Sequence, residues 1–188
     1  MKILRLLILV IFSLTLLSSS CKKHVIQPAN QLSLLPPATQ TGARTFGCLI
    51  NGQAFVPHNR SLLEGPMMQC NYVYTAGGYF FTVGGGNKNS DGSISDIILE
   101  TDSLAVSEGQ TIKLTDHYIN GKAFGDYQII NAPSYSYYYY TNQILTGQLT
   151  ITKLDLAKQI ASGTFYFNVL SNSGDTVKVT NGRFDMPY

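Results

Sequence analysis

Tryptophan, long runs of charge and long amphipathic helical patterns are missing from this sequence. It has no Trp, three Cys, and only 13% charged residues. Without Trp, the side chain best suited to stacking on sugar rings is absent. We find no H-E-x-x-H zinc motif, no G-x-S-x-G nucleophile elbow and no complete phosphate-binding loop. The sequence therefore predicts neither catalytic residues nor a metal or other cofactor.

One long apolar run is present, at the very start of the chain. Lys2 and Arg5 precede twelve residues, 6–17, that are interrupted only by Ser13 and Thr15. At ~1.5 Å per residue this stretch covers roughly 18 Å, which is too short to cross a hydrocarbon core of about 30 Å. The layout is typical of a secretory signal.

The signal leads through three serines directly into Cys21, and this junction resembles a bacterial lipobox. The usual pattern has Leu three places before the cysteine, whereas this chain has Ser18 there. The resemblance implies that residues 1–20 are a lipoprotein signal peptide, that the Cys21 thiol takes a diacylglycerol and that the signal is then cut just before Cys21, which leaves a new amine for a further acyl chain. Two or more acyl chains would hold the protein on a lipid bilayer. The alternative is an ordinary cleaved signal that leaves a free thiol.

The predicted location is the cell envelope, with the lipid anchor in the outer membrane. Some surface-exported lipoproteins carry acidic residues soon after the cysteine, whereas this chain has Lys22 and Lys23, which favours the periplasmic side. Cleavage would remove two of 13 basic residues and none of the 11 acidic ones. The mature chain would then have no net charge and no basic stripe, so nucleic acid is not an expected partner.

The mature chain divides by composition into a tether and one domain. Residues 21–44 are rich in Pro, Gln, Ser and Thr without a sustained period, and we interpret them as the lipidated N-terminus and a flexible tether. The stretch "LSLLPP" within this tether could instead pack on the domain. Residues 45–188 would form the domain, which is large enough for one hydrophobic core.

Short apolar segments separated by turn residues in the domain predict an all-β fold of about ten short strands, either an antiparallel β-sandwich or a half-open barrel. Asn51-Gly52 between two apolar runs is a strong hairpin signal. Near the C-terminus Phe165, Phe167 and Val169 alternate with polar residues, as expected for a half-buried strand. "DTVKVT" and "RFDMPY" are the last two strand candidates.

Two stretches also resemble a known family. The chain is similar, near its front and at its end, to an uncharacterised domain of unknown function in lipoproteins of Bacteroidota-type bacteria. The front stretch is "LPPATQTGARTFGCLINGQAFVP", and the end stretch includes "LTITKLD" and "SGTFYFNVLSNSGDTVKVTNGRFDMPY". The resemblance covers roughly residues 35 to 188. It implies an all-β secreted lipoprotein domain and supplies no catalytic residues.

Candidate site residues fall into two groups. Cys48 and Cys70 each share a strand face with apolar residues, so they would be either a disulfide or two buried thiols. The Tyr-rich strand at residues 134–140 could stack on a ligand through its exposed rings. Its candidate residues are Tyr135, Tyr137, Tyr138, Tyr139 and Tyr140. Alternation would place Tyr138 and Tyr140 on the face opposite the other three, and a strand between core and solvent is the simpler interpretation.

Several other motifs have an ordinary structural explanation. "NKNSDGS" resembles the start of a calcium loop but lacks the Glu at its twelfth position, so a hairpin turn is expected. The glycines at 84–86 indicate a strand end or a bulge. His58 and His117 are isolated surface or loop residues. Asp155, Asp175 and Asp185 lie near turns, where local hydrogen bonds would explain them.

These observations favour a lipid-anchored, non-enzymatic envelope lipoprotein that acts as a binding or accessory module. Its partners would be the bilayer through Cys21 and a glycan or an envelope protein. Glycan binding through the Tyr-rich strand is one alternative function. The other is a hydrolase whose site is assembled across strands around His58 or His117.

Overall fold

The computed structural model describes residues 30–58, 65–131 and 133–188. A short 3₁₀ helix, Gln31–Leu34, precedes eleven strands. The strands are β1 Thr45–Ile50, β2 Gln53–Phe55, β3 Met68–Thr75, β4 Gly78–Lys88, β5 Ile94–Asp102, β6 Thr111–Leu114, β7 Lys122–Asn131, β8 Tyr135–Tyr140, β9 Gly147–Asp155, β10 Ile160–Leu170 and β11 Thr176–Pro187. The all-β prediction is confirmed.

The strands form one sheet in the order β2-β1-β11-β10-β9-β6-β7-β5-β4-β3. One edge of β7 is shared, because β6 pairs with its start and β8 pairs with its second half. The β6–β7 pairing is parallel, whereas the other strand pairs are antiparallel. The sheet is not closed into a barrel, since β2 and β3 lie at its two ends.

The sheet folds over so that its two halves face each other around a hydrophobic core. Phe184 on β11 lies 6.1 Å, between ring centroids, from Phe81 on β4. At Gly125 on β7 an added Cβ would lie 2.8 Å from the ring of Phe167 on β10, so the halves are in tight contact there. The arrangement is sandwich-like, with the apolar faces of both halves turned inward.

Local sequence signals account for several of these elements. Asn51 and Gly52 have φ values of 50° and 81°, as a type I′ turn requires, and they join β1 to β2. On β10, Phe165, Phe167 and Val169 are buried, which confirms the predicted alternation. "DTVKVT" and "RFDMPY" are one continuous strand, β11, rather than two. The glycines at 84–86 lie inside β4, where all three pair with β5 and the first two also pair with β3, so the prediction of a strand end or bulge is wrong.

Residues 30–44, which we assigned to a tether, lie against the sheet. Leu35 in the "LSLLPP" stretch is buried. The Gln31 side chain accepts a hydrogen bond from the Ala54 amide, and Arg183 Nη1 donates to the Pro36 carbonyl. This part of the chain therefore belongs to the folded domain, as the alternative interpretation of "LSLLPP" allowed. Residues 21–29 lie outside the described residues.

A single buried carboxylate, that of Asp185 on β11, fixes this N-terminal segment. Its two oxygens accept six hydrogen bonds. The donors are Thr39 Oγ1 (2.6 Å), Thr41 N (2.9 Å), Thr41 Oγ1 (3.3 Å), Gly42 N (2.7 Å), Ala43 N (3.2 Å) and Ser162 Oγ (2.8 Å). Burial alone would raise the pKa of Asp185, but the hydrogen bonds outweigh it and hold the pKa below its usual range.

This geometry corrects the interpretation of Asp185 as a turn residue. Asp155 and Asp175 do accept hydrogen bonds within their turns, from the Lys158 amide and the Ser173 hydroxyl. Asp185 instead lies within β11, paired with Thr45 on β1 and Ser162 on β10, and its segment partners are 142 to 146 residues away in sequence. Short-range patterns carry no information about such a contact.

Candidate functional site

A dent in the outer face of β9, β10 and β11 is the most promising binding surface among the described residues. Its volume is about 440 Å³, within the usual range for small-ligand sites. We call it the Tyr166 dent. Its lining residues are Ala38, Gln148, Thr150, Thr164, Phe165, Tyr166, Asn181, Gly182 and Arg183.

Strand register places most of these side chains in two rows that cross the sheet. In one row Arg183 on β11 pairs with Thr164 on β10, which pairs with Thr150 on β9. In the second row Tyr166 pairs with Gln148, which pairs with Lys113 on β6. Each row therefore presents one polar side chain from each strand, and neighbouring side chains in a row are separated by the distance between strands, about 4.8 Å.

A β-bulge shapes one wall of the dent. The β10–β11 register shifts between Phe165, which pairs with Gly182, and Phe167, which pairs with Val179. Asn181 lies in this bulge with a φ of 53°, a left-handed conformation that Asn tolerates better than most residues. Bulges commonly redirect a side chain next to a functional site. Here the bulge puts an exposed amide side chain at the edge of the dent.

Gly182 lets the core pack closely beneath the dent, because its partner on β10, Phe165, lies on the core side of the sheet. A Cβ at Gly182 would lie 2.4 Å from the ring of Phe165, so any side chain there would collide with it. The Phe165 ring is almost fully buried, whereas Tyr166 is 50% exposed. An accessible phenol ring is thus surrounded by hydrogen-bonding groups.

Arg183 is the one charged residue in the lining of the dent. Its Nε donates to the Asn181 carbonyl at 3.4 Å and its Nη1 to the Pro36 carbonyl at 3.3 Å. Both acceptors are neutral, so these contacts hold the guanidinium in place without neutralising its charge. The lining of the dent therefore includes one fixed guanidinium group, a group well matched to carboxylates and phosphates.

The Tyr-rich strand, our sequence-based candidate, is divided between the two faces of β8. Tyr135, Tyr137 and Tyr139 form a ladder with centroid separations of 5.1 and 6.2 Å. Tyr139, with 7% exposure, belongs to the core. On the other face Tyr140 stacks on His117 at 4.1 Å, while Tyr138 is 49% exposed. The five rings do not form one binding surface.

Cys48 and Cys70 are both free and buried. They lie on β1 and β3, in the hydrophobic core. Burial raises the pKa of Cys70 to about 12 and that of Cys48 further still. At neutral pH both are protonated thiols with little nucleophilic character.

The histidines of the hydrolase alternative make other contacts. His58 Nδ1 lies 2.7 Å from the Val56 carbonyl oxygen, and the His58 amide donates to Asn87 Oδ1 at 2.8 Å. The ring of His117 packs against Tyr140 at an interplanar angle of 13°. None of these contacts pairs a histidine with a carboxylate, as a hydrolytic triad would need.

The "NKNSDGS" segment forms a turn, and its side chains bond to protein groups. Asp91 Oδ1 accepts hydrogen bonds from the amide and the hydroxyl of Ser93. Asn89 Nδ2 donates to the hydroxyls of Ser93 and Ser95, both at 2.8 Å. Among the described residues, no group of three or more His, Cys, Asp or Glu side chains could hold a metal ion.

An unusual carboxylate lies in the other half of the sheet, on β7. Asp126 is 3% exposed, its Oδ2 accepts a hydrogen bond from Gln128, and its Oδ1 has no hydrogen-bond partner. Burial raises the pKa of Asp126 to about 7, and the nearby Glu100 and Asp96 carboxylates add to the rise. A general acid could have such a pKa, but this carboxyl is shielded from solvent.

Cys21, the predicted lipidation site, lies outside the described residues. No helix within residues 30–58, 65–131 and 133–188 has the length and apolar character to span a bilayer.

Sequence reasoning missed the Tyr166 dent. Its best signal was Asn181-Gly182, a turn-type dipeptide within an otherwise strand-like stretch. We treated that dipeptide as a break between two strands, whereas it marks a bulge within one.

Comparison with known proteins matches the chain to a protein-family model. No curated protein and no solved structure shows significant similarity to the chain. The family model matches residues 80–186 and is described as a domain of unknown function. This range begins in β4 and ends in β11, so it excludes the front stretch at 35–57 on which part of our resemblance rested. The chain belongs to the DUF6252 family, a domain of unknown function.

Proposed function

We propose that this protein is a lipid-anchored lipoprotein of the cell envelope and that its β domain is a non-enzymatic binding or accessory module. The observation that carries the anchor is the sequence at residues 1–21: a short basic lead, an apolar run too short to span, and small residues ending at Cys21. The acylated cysteine would hold the protein on the outer membrane. Lys22 and Lys23 favour its periplasmic side.

The packing of residues 30–44 supports a domain held close to the lipid surface. Eight residues lie between Cys21 and Asn30, and the nine steps from one to the other span at most about 30 Å. The N-terminal segment is then fastened to β11 through Asp185. A ligand bound by the domain would therefore be kept near the bilayer.

The surface of the domain supports binding rather than catalysis. The Tyr166 dent is open and lined by hydroxyl, amide, aromatic and guanidinium groups, with no carboxylate or histidine among its lining residues. Such groups hold a ligand by stacking and hydrogen bonding. A general acid and base pair would be needed for hydrolysis.

Metabolic labelling with palmitate tests the anchor. We expect the wild type to incorporate label and the Cys21→Ala variant to incorporate none. Cys70→Ala is the matched control, because it removes a different cysteine and should leave labelling intact. Equal labelling of wild type and Cys21→Ala would refute the anchor.

A further inference from the structure

We propose that the Tyr166 dent binds a carbohydrate that carries carboxylate groups, such as a uronic-acid polysaccharide. This inference rests on the proposed binding role of the domain and adds the chemical class of its ligand. It is independent of whether Cys21 is acylated.

The first argument is the shape and chemistry of the dent. One face of a pyranose ring is a patch of C–H groups that stacks on an aromatic ring, while its hydroxyls point outward. Tyr166, at 50% exposure, offers the ring, and the phenol at its tip can also form hydrogen bonds. Gln148, Thr164 and Asn181 also line the dent and offer donors and acceptors to sugar hydroxyls.

The second argument is charge. Arg183 contributes a positive charge to a dent whose lining contains no acidic residue. Two of its N–H groups are engaged with carbonyl oxygens, and a guanidinium has five N–H donors in all. The remaining donors can bind a carboxylate, for which the planar fork of Arg is well matched. Lys113, paired with Gln148 across β6 and β9, extends the positive charge along the face.

The third argument is rigidity. The side chains come from three hydrogen-bonded strands, and the guanidinium is held by Asn181 and Pro36. A site built on strands loses little conformational entropy when a ligand binds. The Tyr-rich strand offers no equivalent, since Tyr139 is in the core and Tyr140 is covered by His117.

Affinity electrophoresis tests the proposal with the full mature protein in detergent. The probes are polygalacturonate, alginate and hyaluronate, together with highly methyl-esterified polygalacturonate as the uncharged counterpart and dextran as a neutral polysaccharide. The variants are Tyr166→Ala and, as a matched control, Tyr138→Ala. Both tyrosines are outward-facing on strands, and their exposures are 50% and 49%. Thermal unfolding of both variants checks that each is folded.

We expect at least one acidic polysaccharide to retard the wild type, with at least tenfold weaker retention for Tyr166→Ala and no change for Tyr138→Ala. Where polygalacturonate binds, esterification should weaken retention at least tenfold. The proposal is overturned if none of the three acidic probes retards the protein, if dextran or the esterified probe does so equally well, or if Tyr138→Ala is the variant that loses binding. Palmitate labelling of Cys21 is unaffected by any of these outcomes, so the anchor and the ligand are tested separately.

Discussion

Replacing Asp185 by Asn tests whether the N-terminal segment is held as the structure indicates. In the wild type Oδ1 accepts two hydrogen bonds and Oδ2 accepts four. Asn can present its one carbonyl oxygen to the four donors that Oδ2 accepts from in the wild type, and its NH₂ group then faces the Gly42 amide. That amide loses its acceptor, while the Ser162 hydroxyl can rotate and accept instead.

The expected loss follows from these contacts. A buried donor without an acceptor costs about 1–3 kcal/mol, and hydrogen bonds to a charged group are worth about 1.5–3 kcal/mol each. Because the six bonds share two oxygens and are not additive, we expect Asp185→Asn to lower the free energy of unfolding by about 3 kcal/mol. Asp175→Asn, which changes an exposed turn carboxylate, should lower it by less than about 0.5 kcal/mol.

Urea unfolding at pH 7 measures this difference, and amide hydrogen exchange locates it. Exchange at Thr41, Gly42 and Ala43 should accelerate in Asp185→Asn and stay unchanged in Asp175→Asn. Since the pKa of Asp185 is lowered by folding, its contribution is present above about pH 4, its unfolded pKa, and is lost as the pH falls through the lower folded value. The difference between the wild type and Asp185→Asn should therefore shrink in acid. An Asp185→Asn variant as stable as the wild type at pH 7 would refute the reasoning.

Three further predictions concern other parts of the fold. Ala76 has a φ of 50° in the two-residue turn between β3 and β4, so Ala76→Asn should raise the free energy of unfolding by about 0.5–1 kcal/mol in urea titrations; a loss of stability would contradict this. The pKa of Asp126 is raised by folding from 3.8 to about 7, so its contribution to stability falls as the pH rises through that range and stays low above it. Asp126→Asn should therefore be more stable than the wild type at pH 8 by up to roughly 4 kcal/mol. Equal unfolding midpoints at pH 8 would show that burial does not disfavour the ionised form of this carboxyl group. Finally, Cys48 and Cys70 are buried free thiols, so both should react with a thiol reagent in denaturant. In the native protein both should react much more slowly. If denaturant without reductant exposes no reactive thiol, the two cysteines form a disulfide.

The parts of the fold that depend on short-range patterns could be predicted from the sequence. Phe165, Phe167 and Val169 alternate with polar neighbours, and this alone identifies a strand with one buried face. Asn51-Gly52 predicts its hairpin because positive φ at both positions is costly for most other pairs. Such signals come from residues that are adjacent or a few positions apart in sequence.

The candidate site depends on contacts that the sequence does not encode locally. The Tyr166 dent requires the bulge at Asn181 and the passage of Ala38 over the sheet. That passage in turn depends on Asp185, which contacts a segment more than 140 residues away. The Tyr-rich strand, by contrast, stood out by composition alone, and its rings are divided between core and surface.

The intact mass of the protein purified from membranes is the sharpest test of lipid anchoring at Cys21. We predict a mature chain that begins at Cys21 and exceeds the mass of the polypeptide by a diacylglycerol group, with or without a further acyl chain on the new amine. A chain that retains residues 1–20, or one with an unmodified thiol at Cys21 in the soluble fraction, would contradict it.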